Sequence, residues 1–284
     1  MSTTVMSTTA ITQKVVALLK VVSGIDAIVL GGSHATNTAS PSSNIDIGIY
    51  YGNNKPLDID ALRKQAALLD DQGRTDIITD PGDWGRWLNG GGELAVDGVA
   101  VDILFRDTRR VAMVINNCID GIITVDHQSG HPFGFVNSFY MAELKYCIVL
   151  WEKGMSFSDL KKIMQAYPPA YKEAVIKRFL YEADYASCSG RKSIEKQDII
   201  YAAGALFHCV SCLIQVLYAA NELYVVNEKG ALKRLAAHEG IWIPEGFTEE
   251  APAVFEQLDS RHLEIAFDVV DRYIDQIASH ICEE

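Results

Sequence analysis

Apolar residues recur with a period of two through much of the first half of the chain, and with a period near 3.6 from about Ser138 onward. The first spacing belongs to strands covered on one face, the second to helices with one buried stripe. Ile11–Val22 has helical spacing. Ala27–Leu30 is a short apolar run ending at Gly31-Gly32-Ser33. Asn44–Tyr51 alternates, with Ile45, Ile47 and Ile49 on one face and Asn44, Asp46 and Gly48 on the other. Leu57–Leu69 returns to helical spacing. Asp97-Gly98, between ELAV and VAVDILF, predicts a tight hairpin, because a type I′ turn needs positive φ at both central positions. In its second strand Val101, Ile103 and Phe105 share one face, while Ala100, Asp102 and Leu104 share the other. Beyond Ser138 the spacing predicts helices over Phe139–Trp151, Ser158–Tyr167, Pro169–Ser189, Glu195–Val225 and Leu258–Ile281. The expected fold class is α+β: a loose tail over 1–10, a mixed sheet with helices over 11–130, and an all-helical domain over 131–284.

Charge narrows the range of partners. Lys and Arg total 25 against 37 Asp and Glu, a formal net charge of −12. Phosphate backbones demand positive surface, so general nucleic-acid binding is not expected. The six cysteines are dispersed without a disulfide framework, which fits a reducing, cytoplasmic setting. MSTTVMSTTA lacks the basic start and apolar run of a secretory signal. Ala202–Ala220 is long enough to span a membrane, yet it carries His208, Ser211 and Gln215 and has acidic residues close on both sides. The central helix of a helical domain is the expectation, with no membrane partner.

Two features point to chemistry. A strand ending in Gly31-Gly32-Ser33 offers bare backbone N–H groups and a hydroxyl to a phosphate, although strand-to-glycine turns are common without any such role. Asp46 and Asp102 each lie on a strand face opposite branched aliphatics. A carboxylate so placed needs a cation, a partner or solvent. Two converging beside a phosphate loop would hold magnesium, which takes oxygen ligands from one or two carboxylates and substrate phosphates. The plainer alternative puts each on the solvent face of a half-covered sheet.

The segment GGSHATNTASPSSNIDIGIYY, with the later VAVDILF, resembles the signature of the polymerase-β-like nucleotidyltransferase superfamily: a Gly-Gly turn, a loop, an Asp-x-Asp strand and a third Asp on a later strand. PGDWGRWLNGGGELAVDGVAVDILFRD, HPFGFVNSFYMAEL and LIQVLYAANELYVVNEKGAL extend a closer likeness to bacterial nucleotidyltransferase-domain proteins, with aminoglycoside and lincosamide nucleotidyltransferases more distant. The resemblance implies an N-terminal polymerase-β-like nucleotidyltransferase domain and an all-helical C-terminal domain. It implies that Gly31, Gly32 and Ser33 cradle the triphosphate of an NTP. It further implies that Asp46 and Asp102 are catalytic and bind Mg²⁺, commonly as two ions, and that Lys229 reaches the phosphates. Asn44 stands where the first Asp of the pair belongs, a degenerate metal position, and His34 stands where relatives often carry Arg.

The activity so implied is Mg²⁺-dependent transfer of an NMP to a hydroxyl of a small-molecule, antibiotic-like acceptor, releasing pyrophosphate. Two alternatives stay open: a weakened nucleotide-binding pseudoenzyme or regulator, favoured by Asn44, and an enzyme that nucleotidylates proteins. Lys229 also suits a helix-terminal cap, and Glu93 a solvated strand edge. The Cys209-x-x-Cys212 pair reads as buried thiols rather than a zinc site.

Overall fold

The computed structural model describes residues 7–283 apart from Gln257 and Ser260. Of the expected tail, residues 1–6 lie outside the described residues, and Thr8 already opens the first helix. The chain divides into two compact units that interleave in sequence. One comprises residues 1–116 and 140–166, the other residues 117–139 and 167–284. The boundaries therefore cross the chain three times, where the sequence suggested a single division at 130.

The first unit contains α1 (Thr8–Leu19), β1 (Ile25–Leu30), α2 (Gly32–Ala35), β2 (Ile45–Tyr51), α3 (Ile59–Leu69), α4 (Gly85–Leu88), β3 (Gly91–Val96) and β4 (Val99–Asp107). A helix α5 (Thr108–Ile119) leads out of it. After the hairpin β5 (Val125–Gln128) and β6 (His131–Val136), which belongs to the second unit, α6 (Phe139–Tyr146) returns to the first. There follow β7 (Ile148–Glu152) and α7 (Ser156–Lys162). The sheet order is β3-β4-β2-β1-β7. Only β2 and β4 run parallel; the other pairs are antiparallel.

The alternation seen in the sequence sets the two faces of this sheet. Ile45, Ile47 and Ile49 of β2 and Val101, Ile103 and Phe105 of β4 are buried, and they pack with Ile11, Val15 and Leu19 of α1 and Leu62, Ala66 and Leu69 of α3. Each such side chain withdrawn from water contributes about 1.5–3 kcal/mol. On the opposite face Tyr50 packs against Phe157 of α7, with ring centroids 4.5 Å apart. The hairpin at Asp97-Gly98 forms as expected, with φ of +51° and +79°. α3 ends in a buried anchor: Asp70 accepts both Nε and Nη2 of Arg74 and the amides of Gln72, Arg74 and Ala95. The Arg74 guanidinium, ahead of the opposing cost of burial, holds the Asp70 carboxyl well below the usual carboxylate range.

The second unit is mostly helical. It holds β5, β6, α8 (Pro169–Arg191), α9 (Ile199–Ala220), α10 (Ala231–Ala236), α11 (Phe247–Ala253) and α12 (Leu263–Glu283). Pro169 occupies the first turn of α8, where its missing N–H costs nothing. α9 is long and apolar enough to cross a membrane by length and composition. Here Leu206, Cys209, Leu213, Val216 and Leu217 are fully buried, and the helix packs against α8 and α12.

Two departures from the expected elements stand out. Phe139–Trp151 is not one helix: it breaks after Tyr146, and Ile148–Glu152 pairs with β1 as an edge strand. The helical region also carries the β5–β6 hairpin, so it is mostly rather than wholly helical.

Candidate active site

The candidate residues of the first unit gather at one end of the sheet. Because β2 and β4 run parallel in register, Asp46 lies directly opposite Asp102. Glu93 of β3 pairs with Asp102 from the other side, and Gly31, just past β1, donates its N–H to the Asp46 carbonyl at 2.8 Å. Glu93, Asp102 and Asp46 thus stand in one row across three strands. Residues opposite one another project to the same face. Asp46 and Asp102 are half-buried, and Glu93 is exposed.

The glycine turn is shaped around this row. Gly31 caps the short helix α2 with extended backbone, and Gly32 has φ +56°. A Cβ built on Gly32 would lie 1.7 Å from Oδ2 of Asp46. The Asp46 carboxylate therefore occupies the space that any side chain at position 32 would need. Gly32→Ala should displace that carboxylate as well as strain the backbone. For the nucleotidyl transfer that the sequence resemblance implies, we expect it to lower turnover about tenfold to a hundredfold, as a misplacement near 1 Å does. Steady-state pyrophosphate release, read beside a thermal melt, checks this; parent-like turnover would separate the turn from the chemistry.

Asn44, at the start of β2, donates Nδ2 to Oδ2 of Asp102 at 3.0 Å. Among the described residues Asp102 has no ion pair with Lys or Arg. Two neighbouring carboxylates repel unless a cation lies between them. This donor set of hard oxygens, beside a turn with no side chain in the way, fits a small divalent cation. Ser33 is half-buried in α2, and its carbonyl accepts the Thr38 amide at 2.9 Å. His34 bridges the loop: Nδ1 lies 3.3 Å from Thr8 Oγ1 and Nε2 3.4 Å from the Ser43 carbonyl.

Lys229 belongs to the second unit. It is exposed and precedes Gly230, which has φ +69° and caps the N-terminus of α10. Since α9 ends at Ala220, Lys229 is not its C-terminal cap. Trp87 is a packing residue, 2% exposed, with Arg86 and Arg110 over its ring and Tyr140 at its edge.

Cys209 and Cys212 are fully buried. Burial pushes the Cys209 thiol up to about 12 and raises Cys212 as well, so neither is a ready thiolate. Sequence spacing did not reveal that Cys212 lies with His208 and Glu182, their ligand atoms within 4.8 Å of one another. Glu182 already has Arg178 at 2.8 Å and His208 at 3.4 Å, which explains the cluster as an ion-pair network.

Residues 13–120 match the family described as nucleotidyltransferase domain. No curated protein matches the sequence. Among solved structures, a nucleotidyltransferase-like protein from Exiguobacterium sibiricum 255-15 is similar at 7% identity and a TM-score of 0.47, over 95% of this chain and 75% of that one.

Proposed function

We infer that this chain, whose residues 13–120 match the nucleotidyltransferase domain family, moves a nucleoside monophosphate from an NTP to a hydroxyl of a small-molecule acceptor. Nucleotidyltransferase domains generally use a divalent metal and an NTP, and transfer of a nucleotidyl group is the chemistry this domain supports. The observation that carries the finer reading is the in-register pair Asp46 and Asp102 beside the bare backbone of Gly32.

In the reaction the acceptor oxygen attacks the α-phosphorus, the bond to the β-phosphate oxygen breaks, and pyrophosphate leaves. Asp46 and Asp102 would hold Mg²⁺, as two ions where the substrate phosphates complete the second site, with Asn44 at the margin. The bound cation would neutralise charge on the phosphates and the leaving group. Asp102 receives the acceptor proton. Gly32 and Ser33 donate to the triphosphate, while the Gly31 N–H, held by the Asp46 carbonyl, ties the turn to the carboxylate strand. Free cysteines throughout the chain support a cytoplasmic setting, and the net charge of −12 argues against general nucleic-acid binding. Calorimetry of each NTP with and without saturating Mg²⁺, with duplex DNA as control, tests the site; absence of Mg²⁺-dependent NTP binding would remove it.

One observation favours a weaker catalyst or a nucleotide-binding regulator. The Asn44 amide occupies an Asp102 oxygen and adds no charge. Asn44→Asp removes that hydrogen bond and brings a third carboxylate beside two. We expect the variant to unfold at lower temperature than the parent in EDTA, to gain more stability from Mg²⁺, and to turn over faster. Equal metal affinity and rate in the two proteins would place position 44 away from the metals.

A further inference from the structure

The second unit carries a half-open cavity of about 640 Å³, a size that suits a drug-sized ligand. Its walls are mainly apolar: Phe133 of β6, Phe207 and Ile214 of α9, and Phe255 beyond α11 all line it. Six polar side chains interrupt them: His131, Ser211, Gln215, Asn227, Glu228 and Lys229. Ser211 and Gln215 lie one turn apart on α9, both line the cavity, and they are only 8% and 3% exposed. Among the described residues neither side chain has a hydrogen-bond partner.

Buried polar side chains are nearly always hydrogen-bonded, and these two, without a protein partner yet open to the cavity, have only its contents to bond to. Leucine at position 215 would fill similar volume with no need of a partner, so the polar strip on an otherwise apolar helix asks for a function. A glutamine amide carries an acceptor and two donors in one plane, which pairs with a ligand edge that presents a donor beside an acceptor. Phenylalanine walls favour a flat ring. Glu228 lines the cavity with Oε2 on Nδ1 of His131 at 2.9 Å, so its carboxylate already has a partner and calls for no cationic ligand.

We propose that this cavity binds an uncharged, flat, largely apolar small molecule bearing adjacent hydrogen-bond donor and acceptor atoms, as a lactam does, with Gln215 pairing to both and Ser211 assisting. The site lies wholly within the second unit, and the proposal stands apart from the nucleotidyl-transfer reading.

Quinolin-2(1H)-one and its N-methyl derivative serve as probes, since they differ chiefly in one donor. Calorimetry on the full chain should show saturable binding of the first, with the second at least tenfold weaker. Gln215→Leu should bind the two alike. Should that variant fail to fold, Gln215→Met and Ser211→Ala carry the same comparison. No saturable binding of quinolin-2(1H)-one, equal affinity for both probes in the parent, or a preference that survives loss of the Gln215 amide would each overturn the proposal.

Discussion

Asp102→Ala is expected to lower nucleotidyl transfer by about 10²-fold or more, the loss that follows removal of a proton acceptor or metal ligand from a reacting centre. The fold should tolerate the change. Asp102 is half-buried, its hydrogen-bond partner Asn44 is exposed, and Asp46 directly opposite gains relief from like charge. Stability should therefore stay within about 0.5 kcal/mol of the parent, as for surface substitutions that leave no orphaned buried group. Asp102→Asn separates charge from shape: it keeps the volume and loses the anion, and should be nearly as slow. Pyrophosphate release and thermal unfolding, measured on both variants, decide the matter. A folded Asp102→Ala protein with parent-like turnover would move the reacting carboxylate elsewhere, with Glu93, next in the same row, the first to try.

Glu143→Ala should have the largest effect on stability, about 3–5 kcal/mol, because it strands a buried cation. Arg106 is 3% exposed and donates Nε and Nη2 to the Glu143 carboxylate at 2.7 and 2.6 Å. Its Nη1 donates to the carbonyls of Leu88 and Phe105, tying the end of β4 to α4. Burial alone would lower the guanidinium pKa; the Glu143 carboxylate outweighs it, and the net shift is upward. Without Glu143 that charge keeps the two carbonyls and the face of Tyr140, but no anion among these partners. A thermal midpoint lower by on the order of 10 °C is expected for a loss of this size. The double variant Arg106→Met/Glu143→Leu should recover most of it, since neither desolvated charge remains. A single variant that melts with the parent would show that water reaches Arg106.

Local signals carried much of the first unit. The alternation of β2 and β4 gave the buried face and, with it, the common face of Asp46 and Asp102; Asp97-Gly98 gave the hairpin. What escaped depended on partners distant in sequence. Ile148–Glu152 has no clean alternation, being exposed or half-buried throughout, and it is a strand because β1 offers an edge. Glu93 reads as a solvated charge until its register with Asp102 is known. Ser211 and Gln215 were visible as polar interruptions of an apolar helix, yet the cavity they face is completed by β6, α10 and the segment after α11.

The late arrival of β7 has a consequence for biosynthesis. β1 is apolar in five of six positions and buried at all six, and Leu30 finds its second neighbour only when Ile148 has been made. On the ribosome, the hairpin-rich stretch through β4 can assemble while β1 keeps one row of backbone donors and acceptors unpaired. A nascent chain stalled, nicked or truncated before β7 would present that row to other chains, the arrangement that seeds strand-to-strand aggregation. Fragments ending near residue 130 are therefore poor tools for isolating the first unit, and an expression fragment for it must run through α7.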